Sequence, residues 1–339
     1  MSFYLRAKEA EESLMSVAHN AILVSMHKAW DNCRQRNVQP EEPDFVASLV
    51  MNGTGILEAG WHHLLRPYQI QITGIYCHQT PKVSFNGMSH ASCELGDLLW
   101  CHIHTNRQGV SNRNALLYQA KKSSQQPYNI SRKEFDQLIL YRSWPKFTYV
   151  HSGRMSGQKR HVKPAAPRRG AQYLLIDDRP PEEPESGLLG IPGTYPVGSC
   201  IAQNPLVDHS DLGSELVSFI RLLSGDPFDD MTAASTEAGW SRVIWDLLQM
   251  SVTKAFRRSR SGYSNQPRTS GVPPSTIDGC LFTASRQPTR LIVSILGANN
   301  VGTLFSSNMQ GPPAQLEGEW RDEENGGISV VLIETHELE

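Results

Sequence analysis

The spacing of apolar residues changes near residue 66, and this change limits the possible folds more than any other feature of the sequence. Before it, apolar side chains recur at helical spacing over residues 7–36 and 44–65, and Asn-Gly-Thr-Gly at 52–55 interrupts the second stretch. After it, runs rich in apolar residues predict strands at 67–78, 95–104 and 114–121. Helices that lead into strands within one chain predict an α/β protein.

The rest of the pattern completes the order helix, strand, strand, strand, helix, strand. The second helix of this series is predicted at residues 132–142, and it is followed by short strands at 147–150 and 173–176. Later apolar patterns predict two helices, at 211–223 and 240–256, and two strands, at 291–296 and 328–333. We expect an N-terminal helix, a core and a C-terminal extension that packs on the core, with boundaries 1–43, 44–178 and 179–339.

Composition indicates a globular protein of a reducing compartment. The chain has 339 residues, of which 39% are hydrophobic, and its 32 basic and 34 acidic residues give a formal charge of −2. No apolar run reaches the ~18 residues that a membrane span needs. The near-neutral charge excludes a polybasic nucleic-acid coat but permits a local basic groove. Six cysteines in a chain of this length are no disulfide framework, so we expect a cytoplasmic protein with no secretory signal and no membrane association.

Two of the predicted strands carry polar side chains suited to phosphodiester hydrolysis. Asp97, in Glu-Leu-Gly-Asp, lies near the start of one strand, and Gln119 and Lys121 end the next. Side chains alternate along a strand, so Gln119 and Lys121 share a face, and a hairpin turning at 106–112 would bring Asp97 opposite them. Mg²⁺ or Mn²⁺ binds such oxygen ligands together with phosphate oxygens. A lysine beside the metal can hold the attacking water or help to deprotonate it.

This arrangement resembles the PD-(D/E)XK superfamily of nucleases, which includes many restriction enzymes. The predicted order of elements matches its common core over residues 44–176, its acid on the second strand corresponds to Asp97, and its (E/D)-x-K element corresponds to Gln119-Ala120-Lys121. Gln in place of the acid is similar to the Mrr-type restriction enzymes, whose strand also ends in Gln-Ala-Lys. The resemblance implies a restriction-endonuclease-like fold with a mixed sheet. It also implies a metal-dependent endonuclease acting on DNA in a bacterial restriction or phage-defence system.

The resemblance assigns roles to the residues of this motif. Asp97, the side-chain oxygen of Gln119 and the carbonyl of Ala120 would bind the metal, while Lys121 would position the water and the reacting phosphate. A defence system would supply a protein partner. Cutting of both strands by one active centre per chain would imply a homodimer.

Members of the superfamily often take a further acid from the first helix. Glu58, just ahead of the first predicted strand, is the best-placed candidate for that role, and Glu42 and Glu12 are weaker ones. Glu94 would approach the metal from the loop before Asp97. One of Glu58 and Glu94 would complete the metal's ligands or accept a proton.

Basic side chains near the predicted core are candidates for phosphate contacts. They are Lys122, Arg154, Lys159 and Arg160. Such residues follow a nucleic-acid backbone through their charge. The alternatives are a solvated loop for the last three, and for Lys122 a solvated strand edge that would include Lys121 as well.

Two other interpretations remain open at this point. Gln119 supplies no negative charge to a metal, so the same core can instead be a catalytically inactive binding module for nucleic acid or for a protein partner. The second is a zinc site among the cysteines and histidines of one segment, namely Cys77, His78, His90, Cys93, Cys101, His102 and His104. That segment contains no Cys-x-x-Cys pair, so ordinary buried cysteines and histidines are the favoured interpretation.

Overall fold

The computed structural model describes residues 2–35, 37–77, 81–124, 127–163, 169–180, 196–231, 239–260, 280–284, 289–296 and 327–337. In this part of the chain the helices are α1 (Phe3–Glu9), α2 (Glu11–Arg34), α3 (Glu42–Ser48), α4 (Thr54–Leu64), α5 (Phe135–Ser143), α6 (Leu212–Ile220), α7 (Trp240–Arg260) and α8 (Arg290–Leu296). The strands are β1 (Gln69–Cys77), β2 (Lys82–Phe85), β3 (Cys93–Glu94), β4 (Leu98–Thr105), β5 (Ser111–Lys122), β6 (Phe147–Val150), β7 (Lys159–Arg160), β8 (Ala171–Ile176), β9 (Val197–Cys200), β10 (Ser210–Asp211), β11 (Asp226–Pro227), β12 (Cys280–Ala284) and β13 (Ser329–His336).

The N-terminal helices follow the apolar pattern of the sequence closely. The first predicted helix is divided at Ala10 into α1 and α2, and Glu11 and Glu12 lie in the first turn of α2, where the helix dipole favours acids. The second consists of α3 and α4, joined by a π-helical turn over Leu49–Gly53. The predicted interruption therefore widens the helix locally without ending it.

A mixed sheet forms the centre of the fold, which confirms the α/β class. Its strand order is β10-β9-β8-β5-β4-β13-β1-β12, and β11 pairs with β5 outside this series. Only the pairs β4–β13 and β5–β8 are parallel among the described strands. The predicted hairpin between β4 and β5 is confirmed, with antiparallel pairs running from Thr105–Ser111 to Leu98–Tyr118.

The C-terminal part of the chain contributes to the centre of this sheet. β13 is antiparallel to β1 and parallel to β4, so it separates the first two strands of the predicted core. Residues 179–339 therefore do more than pack on the core, because they supply one of its buried strands. Every residue of β13 is buried.

Alternating residues of the sheet face two hydrophobic cores. Leu98, Trp100, Tyr118 and Ala120 belong to the core that packs against α2, α3, α4 and α6. Leu99, Cys101, Leu117 and Tyr173 belong to the opposite core, together with residues of α5, α7 and a smaller sheet of order β3-β2-β6-β7. The two faces of the β4–β5 hairpin are therefore fixed by burial, which leaves no freedom of register.

The prediction of a strand at 291–296 is wrong, because these residues form α8. Short apolar runs do not distinguish a strand from a buried helix by periodicity alone. The Glu334 carboxylate accepts hydrogen bonds from the Arg290 and Leu291 amides, each at 2.7 Å, and so satisfies the first turn of α8. Within the described residues, no helix combines the length and the apolar character that crossing a bilayer would require.

Candidate active site

Asp97 lies at the point where the β4–β5 ladder ends. Its backbone amide donates to the Tyr118 carbonyl at 2.8 Å, which extends the ladder by one bond beyond the Leu98–Tyr118 pair. Its carboxylate oxygen Oδ2 accepts from the Ala120 amide at 2.8 Å and from the Gln119 side-chain amide. The acid of the first strand and the amide of the second are therefore in direct contact, as the sequence predicts.

Gln119 and Lys121 point to the face of the sheet opposite to Tyr118 and Ala120, which lie in the core under α2–α4. Gln119 is 1% exposed, and its oxygen Oε1 has no hydrogen-bond partner among the described residues. The hydroxyl of Tyr173, the residue paired with Gln119 in the β5–β8 ladder, is likewise buried without such a partner. Buried polar atoms of this kind commonly mark the position of a water or an ion.

The Lys121 ammonium forms an ion pair with Glu134, with 2.8 Å between Nζ and Oε1. Burial disfavours the charged form of Lys121, but the carboxylates of Glu42, Glu134 and Asp97 outweigh it and raise the pKa of Lys121. Burial also disfavours the ionised form of Glu134, but hydrogen bonds from Lys121 and Ser131 lower its pKa to about 2. Both partners are therefore charged at neutral pH.

Two further carboxylates raise the pKa of Asp97. Glu94 precedes it in the chain, and Glu42, the first residue of α3, accepts a hydrogen bond from the Lys122 amide at 3.0 Å. Burial raises the pKa of Asp97 strongly, and the charges of Glu94 and Glu42 raise it further. Burial also raises the pKa of Glu42. This clustering of acids costs free energy that a bound cation would recover.

The structure brings Glu42, rather than Glu58, to Asp97. Glu58 is buried on α4, and its carboxylate accepts from the Ile72 amide of β1 at 2.9 Å. Among the described residues, the β1–β12 pairing begins at Thr73, so Glu58 satisfies an amide that lies just beyond the described part of this ladder. The whole of β13 lies between β1 and the strand that follows Asp97.

Replacing Glu58 is therefore expected to affect stability rather than chemistry. Glu58→Ala leaves the buried Ile72 amide unsatisfied and is expected to lower the free energy of unfolding by about 1–3 kcal/mol, measured by urea denaturation. Glu58→Gln keeps an acceptor oxygen and should lose much less. Equal destabilisation by the two variants would contradict the assigned hydrogen bond.

Close packing holds the Glu94–Asp97 turn in place. The Tyr141 hydroxyl donates to the Leu95 carbonyl at 2.9 Å. A Cβ atom at Gly96 would lie 2.8 Å from both Leu117 Cδ1 and Tyr141 Oη. Only glycine allows this approach of the turn to β5 and α5, which sets the position of Asp97.

The predicted phosphate-binding residues differ in their availability. Lys122 donates to the Pro40 carbonyl at 2.9 Å and to Glu41 at 3.0 Å. Arg160 is 4% exposed and pairs with the buried Asp246 at 2.6 Å, so its guanidinium joins β7 to α7 and is not accessible to a ligand. Lys159 is exposed on β7. The side chain of Arg154 lies outside the described residues.

The cysteines and histidines of the predicted zinc segment are separated by other partners. His102 Nε2 and His104 Nδ1 both bond to the Thr335 hydroxyl, at 3.0 and 2.9 Å. Burial lowers the pKa of His102 to about 3. His90 bonds to Asp136 at 2.8 Å, Cys77 and Cys101 are buried, Cys93 is partly buried, and His78 lies outside the described residues.

The donors beside Asp97 are oxygen atoms, the type of ligand that a hard cation takes. Within the described ranges, no three His, Cys, Asp or Glu side chains are placed to hold a metal by themselves. Mg²⁺ needs fewer protein ligands, because it binds through one or two carboxylates together with phosphate oxygens and water. Asp97 and the unpartnered Gln119 oxygen are ligands of that type.

Comparisons of the chain with protein-family models, with curated proteins and with solved structures found no match. Its chemistry is therefore inferred from the geometry of the site.

Proposed function

We propose that this chain is a Mg²⁺-dependent endonuclease that hydrolyses phosphodiester bonds in DNA, built on a core of the PD-(D/E)XK type. The observation that carries the proposal is the contact between Asp97 and the Gln119–Lys121 end of β5, surrounded by Glu42 and Glu94. These groups combine an acidic, oxygen-rich cation site with one ammonium group. A metal ion at such a site can activate water for phosphodiester hydrolysis, and an ammonium group can hold the attacking water or a phosphate oxygen.

The surrounding fold supports the same proposal. The antiparallel pair β4–β5, the parallel neighbour β8 and the intervening α5 have the order expected from the superfamily. One departure is β13, which lies between the first two strands of that series. The pairing of β13 with β4 begins at Leu98, and the Ser329 amide donates to the Asp97 carbonyl at 3.3 Å.

The charge state of Lys121 limits its role. Three neighbouring carboxylates favour its protonated form, so it is suited to hold a phosphate oxygen or a water molecule and unsuited to accept a proton. A carboxylate of the cluster, with Glu94 closest along the chain to Asp97, is the better proton acceptor. A bound Mg²⁺ would supply charge to the pentavalent transition state and lower the pKa of the attacking water.

A second candidate, a binding module without catalysis, is favoured by one specific observation. The Gln119 amide already donates to Asp97 and Lys121 is already paired with Glu134, so both polar groups have partners in the absence of substrate. Such a module would bind DNA or a protein partner at the same place, where β4 begins and β5 ends.

Plasmid cleavage distinguishes the two candidates. We expect the purified protein to convert supercoiled DNA to nicked or linear forms in Mg²⁺ or Mn²⁺ and to stop when EDTA removes the metal. DNA binding that persists in EDTA, with no cleavage in either metal, would favour the binding module and overturn the nuclease.

A further inference from the structure

Two neighbouring strands carry buried polar atoms side by side on the face of the sheet that holds Asp97. Gln119 of β5 and Tyr173 of β8 are paired in the parallel ladder, so their side chains project from the same face. Gln119 is 1% exposed and Tyr173 is 0% exposed. Within the described residues, neither Gln119 Oε1 nor Tyr173 Oη has a hydrogen-bond partner, so these two atoms are not bonded to each other either.

Packing alone does not account for the Tyr173 hydroxyl. The Tyr173 ring lies in the core on the α5 side of the sheet, where its centroid is 5.4 Å from that of Tyr141. The Tyr141 hydroxyl has a partner in that core, because it donates to the Leu95 carbonyl at 2.9 Å. A phenylalanine in place of Tyr173 would fill nearly the same volume without burying an unpartnered hydroxyl, which costs free energy. A polar ligand explains the hydroxyl better than packing does.

One water molecule matches the chemistry of this pair of atoms. A water can donate to the side-chain oxygen of Gln119 and form a second hydrogen bond with the Tyr173 hydroxyl, which is both a donor and an acceptor. Neighbouring strands lie about 4.8 Å apart, a separation that exceeds a direct hydrogen bond and suits a bridge by one water. Two polar partners are also the fewest that a buried water requires.

We propose that Tyr173 is a positioning residue of the cleavage site, which holds a buried water molecule against the side-chain amide of Gln119. The inference rests on the proposed nuclease function, and it adds a residue from β8 to the motif on β4 and β5. In the metal-free protein Gln119 Nε2 donates to Asp97, so the water donates to Oε1. When Oε1 turns towards a cation, Nε2 takes its former place and donates to the same water. The water on Tyr173 therefore satisfies both orientations of the amide.

Tyr173→Phe tests the inference through cation binding rather than through cleavage. Without the hydroxyl the water loses one of its two partners, so the turned amide of Gln119 has a buried N–H group with no acceptor. The affinity of the full chain for Mn²⁺, measured by electron paramagnetic resonance of the free ion, should fall by about tenfold, the size of effect expected from one unsatisfied buried donor. An unchanged affinity would overturn the inference.

Tyr149→Phe is the matched control. Tyr149 is fully buried in the same core as Tyr173, but it belongs to β6 of the smaller sheet, and the Arg160 guanidinium lies 5.8 Å from its ring centroid. The control removes the same hydroxyl from a comparable position, so its Mn²⁺ affinity should equal that of the parent. An equal loss of affinity in the two variants would mean that removing any hydroxyl from this core weakens the site, and it would overturn a specific role for Tyr173.

A crystal structure of the metal-free protein, at a resolution that shows ordered water, gives the second measurement. We expect a water within hydrogen-bond distance of both Gln119 Oε1 and Tyr173 Oη in the parent, and none there in Tyr173→Phe. Absence of this water from the parent would overturn the inference. If the parent neither binds Mn²⁺ nor cleaves DNA, the nuclease proposal is overturned instead, and the crystal structure still decides whether Tyr173 holds the water.

Discussion

Replacing Lys121 by alanine is expected to reduce Mg²⁺-dependent plasmid cleavage by about 100- to 1,000-fold. The loss of a positioned charge that acts on the transition state has an effect of this size. Folding should survive, because Glu134 keeps its bonds to Tyr128 and Ser131. Cleavage rates under single-turnover conditions, with circular dichroism to confirm the fold, provide the measurement.

Lys133→Ala is the control for this prediction. Lys133 is a neighbour of Glu134 in the chain, carries the same charge and is exposed to solvent. It should cleave DNA at the parent's rate, because a surface lysine outside the site changes only the overall charge. If the two alanine variants lose activity to the same extent, the role assigned to Lys121 is wrong.

Replacing Asp97 by asparagine is expected to abolish cleavage while making the protein more stable. Burial and the Glu94 charge raise the pKa of Asp97, so the folded state binds its proton more tightly than the unfolded state does. The stability that this group contributes is complete below the unfolded pKa of ~3.9 and is lost as the pH rises through the folded pKa. Asparagine does not ionise, so the variant does not lose this stability as the pH rises. It also keeps an oxygen that can accept from the Ala120 amide.

The sign of this effect gives a pH test. At neutral pH the midpoint of thermal unfolding should be higher in Asp97→Asn than in the parent, because the variant has no carboxyl group whose ionisation burial disfavours. The difference should shrink as the pH falls and vanish below about pH 4, where Asp97 is protonated in both states. A variant that is less stable than the parent at neutral pH would contradict the assigned electrostatics.

With a cation present, the Asp97 carboxylate should increase the stability of the folded protein, whereas without a cation it lowers that stability at neutral pH. Mg²⁺ or Mn²⁺ binds only the folded site, so saturation at 100 times its Kd should stabilise the parent by ~2.7 kcal/mol. The same cation concentration should leave the free energy of unfolding of Asp97→Asn unchanged, because this variant lacks the principal carboxylate ligand. Equal stabilisation of both proteins would place the cation elsewhere.

The local part of the site could be predicted from the sequence. Alternation along β5 puts Gln119 and Lys121 on one face, and a tight turn, with Gly109 at positive φ, pairs β5 with β4. These features depend on residues close together in the chain. The contact of Asp97 with Gln119 follows from the register of a single hairpin.

The acids that complete the site depend on long-range packing and were not predictable in the same way. Glu58 and Glu42 both lie in the helical segment that precedes β1, and only the docking of α3 on the end of β5 places Glu42 near Asp97. The Ser131–Glu134 spacing marks a helix start in the sequence. That spacing carries no information about the ion pair of Glu134 with Lys121, which lies 13 residues earlier in the chain.

The position of β13 had no local signal at all. Its apolar run predicts a buried strand, but parallel pairing with β4 joins residues more than 200 positions apart. Nothing in the composition of the strand selects the gap between β1 and β4. The position of β13 between β1 and β4 follows from the burial of both of its faces.

A crystal structure of the protein soaked in Mn²⁺ tests the cation site most directly. We expect an anomalous peak within coordination distance of the Asp97 carboxylate, with the Gln119 side chain rotated so that Oε1 faces the ion and the Ala120 carbonyl beside it. A Mn²⁺-saturated crystal with no peak at this position, and with the Gln119 amide still donating to Asp97, would contradict the account.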